Sequence, residues 1–305
     1  MLRRIITLFL VAIGIGGTAL WLLTMPETVP ASTLPPHTPN LENGRTMFFA
    51  SGCASCHAVP DQQDQTLLGG GSALKSSFGI FYAPNISPDR NDGIGNWSEA
   101  DFVTAMAKGT SPDGRHYYPA FPYTSYQRMP YSDLRDLFGY LVTLPPVAGK
   151  VRDHELSFPY NFRRMVGGWK LFYVDGVQFQ PDPTKSAQWN RGAYLVNGPG
   201  HCAECHSPRD RFGAVVAHKR FSGGALLEED VWVPNISGKR LGEWTESDFS
   251  YLLETGMTPD GDAVGSFMSL VIRNTAQLSI EDRTAMAVYL KSLPVVESVV
   301  RPKAN

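Results

Sequence analysis

Two stretches of this chain, Cys53-Ala-Ser-Cys-His57 and Cys202-Ala-Glu-Cys-His206, share one pattern and decide how the rest is interpreted. Each places two thiols one helical turn apart and follows them at once with an imidazole. This is the attachment signature of haem c, in which both thiols add to the haem vinyl groups and the histidine is the proximal iron ligand. The pattern predicts two covalently bound haem c groups, with attachment at Cys53, Cys56, Cys202 and Cys205 and iron ligation by His57 and His206.

Two other uses of paired cysteines fit this sequence less well. A zinc site gathers four ligands at one place, and a redox-active dithiol needs no histidine after the second cysteine. All four cysteines of the chain belong to the two motifs, so none is left for a separate disulfide. Two complete copies of the motif therefore favour haem attachment.

Composition limits the domain count and the class of partner. A length of 305 residues with 43% apolar residues is enough for two domains with cores of their own. The net charge is only −2 and no long block of like charges occurs, so the chain has no basic groove for nucleic acid. The 29 glycines and 23 prolines predict a structure rich in loops.

The N-terminus has the pattern of a membrane anchor. After Arg3 and Arg4 come about 20 uncharged residues, Ile5 to Thr24, enough to cross the roughly 30 Å hydrocarbon core of a bilayer. A cleaved signal peptide has a shorter apolar core and a small-residue cleavage site, so we expect residues 1–25 to stay as an anchor. The positive-inside rule then keeps the N-terminus in the cytoplasm of a bacterial inner membrane and places the rest in the periplasm. The Pro-rich residues 26–39 predict an extended linker that holds the first haem domain away from the membrane.

An internal repeat fills most of the remaining chain. Pro84-Asn-Ile-Ser87 corresponds to Pro234-Asn-Ile-Ser237, and Gly109–Gly114 corresponds to Gly256–Gly261. These matches keep the same order around the two motifs, so we expect two haem domains joined by a connector. The predicted boundaries are 40–145 for the first repeat, 146–188 for the connector and 189–305 for the second repeat.

Helix signals occur at equivalent places in both repeats. Ser98-x-x-Asp101 and Thr245-x-x-Asp248 have the spacing of helix N-caps, and both helices are expected to end at a glycine. Further helices are predicted before each motif and at the end of each repeat, at Leu41–Ala50, Gly192–Val196, Ser132–Leu144 and 279–293. This order is typical of small cytochrome c domains, so the predicted fold is all-α, with two tandem domains of this kind behind a transmembrane helix.

The sixth iron ligand is sought among methionines before the last helix of each repeat, because cytochromes c commonly use a Met thioether. In the second repeat Met268 lies seven residues after Gly261. The equivalent position in the first repeat is Phe121, which cannot ligate iron. Met129, His116 or an open iron site are the alternatives there, and we favour Met129.

Several stretches are similar to one known family. They include Tyr118-Pro-Ala-Phe-Pro-Tyr-Thr-Ser-Tyr126, Phe158-Pro-Tyr-Asn-Phe-Arg163 and Gly200-His-Cys-Ala-Glu-Cys-His-Ser-Pro-Arg209. Beyond residue 40, almost all of the chain resembles the c-type cytochrome subunits of membrane-bound bacterial dehydrogenases, such as those serving alcohol, gluconate and nicotinate oxidation. Those subunits take electrons from a dehydrogenase partner and pass them to quinone, a cytochrome or an oxidase. Many members carry three haem motifs and this chain has two, so it resembles the diheme branch.

Two pairs of matched residues are further candidates for haem contacts. Trp97 and Trp244 each precede a capped helix and are candidates to pack on haem and donate an indole N–H to a propionate, or else to a backbone carbonyl. Asn85 and Asn235 follow a proline and are candidates for turn residues or for hydrogen bonds to the haem edge.

The function predicted from the sequence is a membrane-anchored periplasmic diheme electron carrier, and not an enzyme in its own right. Two alternatives stay open. One is a diheme enzyme of the peroxidase or thiosulfate-oxidising type with one open haem, for which Phe121 is the only support. The other is the diheme subunit of a terminal oxidase. The matches at Tyr118–Tyr126 and Phe158–Lys170 favour the dehydrogenase family over this second alternative.

Overall fold

The computed structural model describes residues 1–225, 231–238 and 242–299. Within these residues, most of the predicted helices are present. The helices are α1 (Leu2–Leu23), α2 (Leu41–Ala50), α3 (Cys53–His57), α4 (Glu99–Lys108), α5 (Tyr123–Tyr126), α6 (Tyr131–Leu141), α7 (Met165–Tyr173), α8 (Ala187–Asn197), α9 (Glu246–Thr255), α10 (Phe267–Thr275) and α11 (Ile280–Ser292). The strands are β1 (Ala73–Ser76), β2 (Gly79–Tyr82), β3 (Glu155–Leu156), β4 (Gly224–Ala225) and β5 (Trp232–Val233). The predicted boundary at residue 305 lies outside the described residues.

One helix in each repeat begins with a complete capping box. The Ser98 hydroxyl accepts a hydrogen bond from the Asp101 amide before α4, and the Asp101 carboxylate accepts one from the Ser98 amide in return. Thr245 and Asp248 form the same pair of bonds before α9. Both helices end at a glycine with a left-handed backbone, as their sequences predict.

A pair of closely crossed helices forms the frame of each repeat. α2 packs on α6 in the first repeat, and α8 packs on α11 in the second. A Cβ on Gly44 would collide with the backbone of Asp136, and a Cβ on Gly192 would collide with the backbone of Ala285. Glycine therefore lets the two backbones approach at each crossing more closely than any side chain allows.

The chain is mostly helical, as predicted, but the all-α description is incomplete because the described residues also contain five short strands. β1 and β2 form an antiparallel hairpin in which Ala73 lies opposite Tyr82. β3 comes from the connector and pairs with β2, so that Gly79 lies opposite Leu156. β4 and β5 form a separate pair in the second repeat. The three-stranded sheet joins the connector to the first repeat through the pairing of β2 with β3. Local helix signals do not predict this long-range pairing.

The linker at residues 26–39 is not the spacer that its composition predicts. The Val29 amide donates to Thr104 Oγ1 at 2.9 Å, and Val29 is buried. Glu27 pairs with Lys108 of α4 at 2.9 Å. Because the linker backbone and side chains find partners on the first repeat, the linker lies along that repeat instead of holding it away from α1.

One continuous hydrophobic core contains side chains from both repeats. Its fully buried members include Met47, Phe48, Leu134, Leu137, Leu195, Val196 and Leu290. α1 lies outside this core with no buried residue, and its best 18-residue window has a mean hydropathy of 2.2. A helix of 22 residues with this composition is long enough to cross a bilayer.

Candidate haem sites

Both motif histidines are held in the same way by a proline carbonyl. His57 Nδ1 lies 2.8 Å from the Pro84 oxygen, and His206 Nδ1 lies 2.8 Å from the Pro234 oxygen. Because a carbonyl oxygen only accepts, Nδ1 carries the proton and Nε2 keeps its lone pair. Burial lowers the pKa of both imidazoles, which favours their neutral form. A neutral imidazole with its Nε2 lone pair available is the proximal ligand that haem iron takes.

A glycine in each repeat keeps the proline segment next to its histidine. The Gly70 amide donates to the His57 carbonyl at 2.8 Å, and the Gly223 amide donates to the His206 carbonyl at 2.9 Å. Both glycines have a left-handed backbone, with φ of +73° and +78°, and a Cβ on either would collide with the proline segment. Glycine is therefore required at both positions, and no local sequence pattern indicates this requirement.

The environment of the cysteines favours neutral thiols. Burial, and then the neighbouring Cys56, raise the pKa of Cys53 to about 12. Burial and the neighbouring Cys205 also raise the pKa of Cys202 to about 12. A redox dithiol reacts as a thiolate, which burial disfavours here. A zinc site gathers three or four protein ligands, and the described part of the chain has no group of three or more His, Cys, Asp or Glu that could hold a metal ion. The donor set fits covalent haem c better than either alternative.

Asn85 and Asn235 support the proline segments. The Asn85 amide donates to the Val147 carbonyl at 2.7 Å, and the Asn235 amide donates to the Val296 carbonyl at 2.8 Å. Each side-chain oxygen accepts from the amide two residues ahead. Both residues thus fasten the proline segment to the chain that follows the terminal helix, as turn residues do, and their contact with the haem edge stays a prediction.

Trp97 and Trp244 are half-buried and pack against the hydrophobic core just before α4 and α9. Among the described residues, neither indole N–H has a protein acceptor within hydrogen-bond distance. The predicted alternative, an indole bonded to a backbone carbonyl, is therefore not observed. Donation to a haem propionate stays a prediction for both.

In the first repeat, Phe121 and the candidate sixth ligand Met129 lie in different surroundings. Phe121 packs among tyrosines, with ring centroids 5.6 Å from both Tyr117 and Tyr126. Met129 is fully buried in the turn that precedes α6. Leu278, also buried, holds the equivalent place before α11. A buried thioether is available there for ligation, although core packing alone also explains it.

Met268 lies in the first turn of α10 and not in a loop, which corrects the predicted setting of this residue. Its side chain is half-buried and packs against the core. The helix was missed because the turn before it has no capping side chain: Ser266 adopts a positive φ of 52° and makes no cap hydrogen bond. Ligation by Met268 stays a prediction.

His116 is engaged at the end of α1. Its Nε2 donates to the Thr24 carbonyl at the end of α1 at 3.0 Å, and its own carbonyl accepts from Arg163. The guanidinium of Arg164 lies beside the ring as well. Nε2 is thus used by α1, while Nδ1 is buried with no hydrogen-bond partner among the described residues. Iron ligation by His116 stays an alternative to Met129.

Both motifs lie at the contact between the repeats. Ser55 of the first motif accepts a hydrogen bond from Asn274 of α10 at 2.9 Å. Glu204 of the second motif accepts hydrogen bonds from Thr124 and Ser125 of α5, at 2.9 and 3.2 Å. Each motif thus contacts the helix that precedes the terminal helix of the other repeat.

Glu204 and Arg220 are candidate functional residues that sequence reasoning missed. Burial raises the pKa of Glu204, but the charge of Arg209 and the Thr124 hydrogen bond outweigh it and hold that pKa below its ordinary value. Arg220 lies close enough to Cys202 for its charge to act on the thiol, and it donates to Asn197 at 3.0 Å. Among the described residues no carboxylate forms a salt bridge with Arg220, although the charge of Glu204 acts on it. Glu204 lies between the two cysteines of the second motif and Arg220 lies outside both motifs. No sequence pattern marks the contacts of either residue, so only the fold reveals them.

Comparison with known proteins agrees with this geometry. The cytochrome c family model matches residues 41–145. A diheme cytochrome c-type protein of Cereibacter sphaeroides is 42% identical to this chain over 299 residues, which cover 97% of the chain and 100% of the relative. The chain belongs to the diheme c-type cytochrome family. Its members transfer electrons and are not enzymes in themselves, so the resemblance inferred from the sequence is confirmed.

Two longer relatives match most of this cytochrome. A nicotinate dehydrogenase subunit of Pseudomonas putida is 38% identical over 92% of the chain, which spans 24% of that relative. The fructose dehydrogenase cytochrome subunit of Gluconobacter japonicus is 34% identical over 92% of the chain, which spans 57% of it. The cytochrome therefore covers the whole of the first relative and only part of these two.

Proposed function

We propose that this cytochrome is a membrane-anchored periplasmic carrier with two haem c groups, which takes electrons from a dehydrogenase and delivers them toward the respiratory chain. The observation that carries the proposal is the repeated site, in which each motif histidine donates Nδ1–H to a proline carbonyl at 2.8 Å. Haem c supplies a one-electron iron couple when bound. Both motifs contact the other repeat, which supports transfer between two haems of the same chain.

The residues of the two repeats have separate roles in this proposal. The cysteines hold the cofactor, the histidines supply the proximal nitrogen, and the methionines supply a soft, neutral sixth donor that favours ferrous iron. Residues 40–145 and 189–305 form the two haem domains. The proposed ligands and contacts are Cys53, Cys56, His57, Met129 and Trp97 in the first domain, and Cys202, Cys205, His206, Met268 and Trp244 in the second.

The proposed location rests on α1. All 22 of its residues are exposed, and those after Arg4 carry no charge. Arg3 and Arg4 precede most of the helix, which orients the N-terminus toward the cytoplasm. The haem domains then lie in the periplasm. The named relatives include subunits of nicotinate and fructose dehydrogenases, which supports a dehydrogenase as the electron donor; the acceptor is quinone, a cytochrome or an oxidase.

Carbon monoxide binding tests the proposed ligand sets. We expect the full-length protein in detergent to contain two haems per chain and to bind no carbon monoxide when reduced, because both sixth positions are occupied. Met129→Ala and Met268→Ala should each open one haem to carbon monoxide and remove part of the ferric Met-to-iron charge-transfer band. Met106→Ala is the matched control, since Met106 is a buried methionine of α4 and should leave both signals unchanged.

The same experiment separates a carrier from an enzyme. Carbon monoxide uptake by half of the wild-type haem, unaffected by Met129→Ala, would replace the carrier proposal by an enzyme with an open first haem. The donor is tested by deleting the gene and measuring oxygen uptake of the cells with alcohols, sugar acids and nicotinate. Loss of uptake with one substrate class, with NADH-driven uptake retained, identifies the partner dehydrogenase; retained uptake with every substrate contradicts a role beside these dehydrogenases.

A further inference from the structure

The connector carries large apolar side chains that the protein leaves in solvent. Phe162 is 59% exposed, Met165 is 56% exposed and Phe172 is 83% exposed. We call these three residues the connector face. Isolated exposed apolar residues are ordinary, but a cluster of them on one short segment marks an interaction surface.

The connector face adjoins the end of α1. The Arg164 guanidinium donates to the Trp21 carbonyl at 2.7 Å and also to the Thr24 carbonyl, and it lies 4.4 Å from the centre of the Trp21 ring. His116 donates to the same Thr24 carbonyl at 3.0 Å. A Cβ on Gly167 would collide with this carbonyl, so α7 and the end of α1 are in direct contact. Arg164 stands between Phe162 and Met165, which places the connector face beside this contact.

α7 presents opposite sides to the protein and to solvent. Val166 and Gly167 are buried, and Lys170 donates to the carbonyls of Lys108 and Gly109 at 2.7 and 2.6 Å. Met165 and Phe172 are separated by seven residues and therefore share the other side of the helix. One side of α7 is thus used by the fold, while Met165 and Phe172 on the other side stay largely exposed.

The length of α1 sets the level of the bilayer surface. At about 1.5 Å per residue, its 22 residues cover roughly 33 Å, close to the roughly 30 Å of a hydrocarbon core. The end of α1 therefore reaches the outer boundary of the core, where Trp21 is a residue typical of the interface. The headgroup layer beyond it is roughly 5 to 8 Å thick. The connector face includes Met165, which directly follows the arginine that binds this end of α1.

We propose that the connector face rests in the headgroup layer of the bilayer that α1 crosses, and so holds the first repeat against the membrane in a fixed orientation. Aromatic and long apolar side chains are favoured at this depth. Lipid is the occupant because the surface is continuous with a membrane helix, and a protein partner would have to enter between the connector and the headgroups. The inference rests on the proposed membrane span of α1.

Photoreactive lipids test the inference on the full-length protein. The cytochrome alone is placed in lipid nanodiscs that contain one lipid with a diazirine near the headgroup and, in a second sample, one with a diazirine in the acyl chain. Adducts are mapped by mass spectrometry. We expect headgroup adducts on peptides covering residues 158–173, and none on peptides carrying Tyr251 or Ile280, which are exposed to a similar degree in the second repeat. Acyl-chain adducts should occur on α1.

Paired variants test whether the apolar side chains hold the connector in the headgroup layer. Phe162→Glu combined with Phe172→Glu should reduce the connector adducts by about tenfold or more and leave the α1 adducts unchanged, because a carboxylate in place of each ring removes the apolar burial that holds the connector in this layer. The matched control, Tyr251→Glu combined with Ile280→Glu, should leave both sets of adducts as in the wild type. Unchanged connector adducts in the first variant would overturn the inference.

The two proposals fail in different ways. Adducts on α1 without adducts on the connector would mean that the connector face is open to a protein partner or to water, and would overturn the inference while the membrane span stands. Absence of adducts from both segments would overturn the span and the inference together.

Discussion

Arg220 is a half-buried positive charge beside the second motif, and the first motif has no equivalent among the residues that the structure describes. Its guanidinium lies 5.1 Å from the Phe221 ring centre and donates to Asn197. A fixed positive charge near a haem opposes the ferric state and raises its potential. Arg220→Gln should lower the potential of the second haem by tens of millivolts, where about 59 mV is a tenfold change in a one-electron equilibrium.

Spectroelectrochemical titration measures this change. Arg273→Gln is the matched control, because Arg273 is an exposed arginine of the same repeat whose charge is screened by water. Equal shifts in both variants, or a shift of the first haem alone, would show that Arg220 does not tune the second haem.

His116 gives the molecule a predicted pH dependence of stability. Burial, together with the charges of Lys170, Arg164 and Arg163, lowers the pKa of His116 to about 4, although the Thr24 carbonyl opposes this. The unfolded chain has an ordinary His pKa of about 6.5. Between these values the unfolded state binds the extra proton, so stability falls as the pH drops from about 6.5 to about 4, by up to about 3 kcal/mol.

Thermal unfolding of the detergent-solubilised protein at several pH values checks this effect. His116→Gln keeps a donor for the Thr24 carbonyl but does not titrate, so its stability should fall less over the same interval than that of the wild type. His218→Gln, at an exposed histidine of the second repeat, should behave as the wild type does. Parallel curves for His116→Gln and the wild type would contradict the assignment.

At the level of elements, the glycine crossings support both helix frames. In Gly192→Ala the new methyl group meets the carbonyl of Ala285, so α8 must move away from α11. We expect a loss of about 1 to 3 kcal/mol in the free energy of unfolding. Gly168→Ala is the matched control: Gly168 also lies inside a helix, α7, but nothing approaches its Cβ position. It should stabilise the protein by up to about 1 kcal/mol. Chemical denaturation measures both, and changes of the same sign would contradict the close crossing.

Elements whose structure depends on side chains close together in the sequence were predictable from the sequence. The capping boxes of α4 and α9 and the haem attachment motifs need only a few neighbouring side chains. β3, the path of the linker and the surroundings of His116 depend instead on contacts between distant residues, such as the bond from His116 to Thr24, 92 positions away. The proline carbonyls that orient His57 and His206 belong to the same class, since each comes from a loop 27 or 28 positions further on. Local patterns carry no information about such partners.

At the level of the whole molecule, the repeats are expected to unfold together. They share one hydrophobic core, and polar contacts also cross between them: Tyr194 of α8 donates to Asp133 of α6, and Glu204 accepts from Thr124 and Ser125. Separation of the repeats would expose apolar surface and leave the Glu204 carboxylate with fewer donors. A change confined to this contact should therefore destabilise both repeats, although it touches neither helix frame.

Thr124→Val combined with Ser125→Ala removes both hydroxyl donors to Glu204. A hydrogen bond to a charged group contributes about 1.5 to 3 kcal/mol to stability. For a protein of this size each kcal/mol shifts the Tm by roughly 2 to 4 °C. We therefore expect the Tm of the double variant to fall by at least about 5 °C. Thr284→Val is the control, since the Thr284 hydroxyl bonds to the Ile280 carbonyl of its own helix and its loss should leave the Tm nearly unchanged. Pulsed hydrogen exchange with mass spectrometry follows α2 and α11 separately during heating. Simultaneous loss of protection in both helices is the expected result; loss in one helix several degrees before the other would show that each repeat is held by its own core and that the shared one adds little.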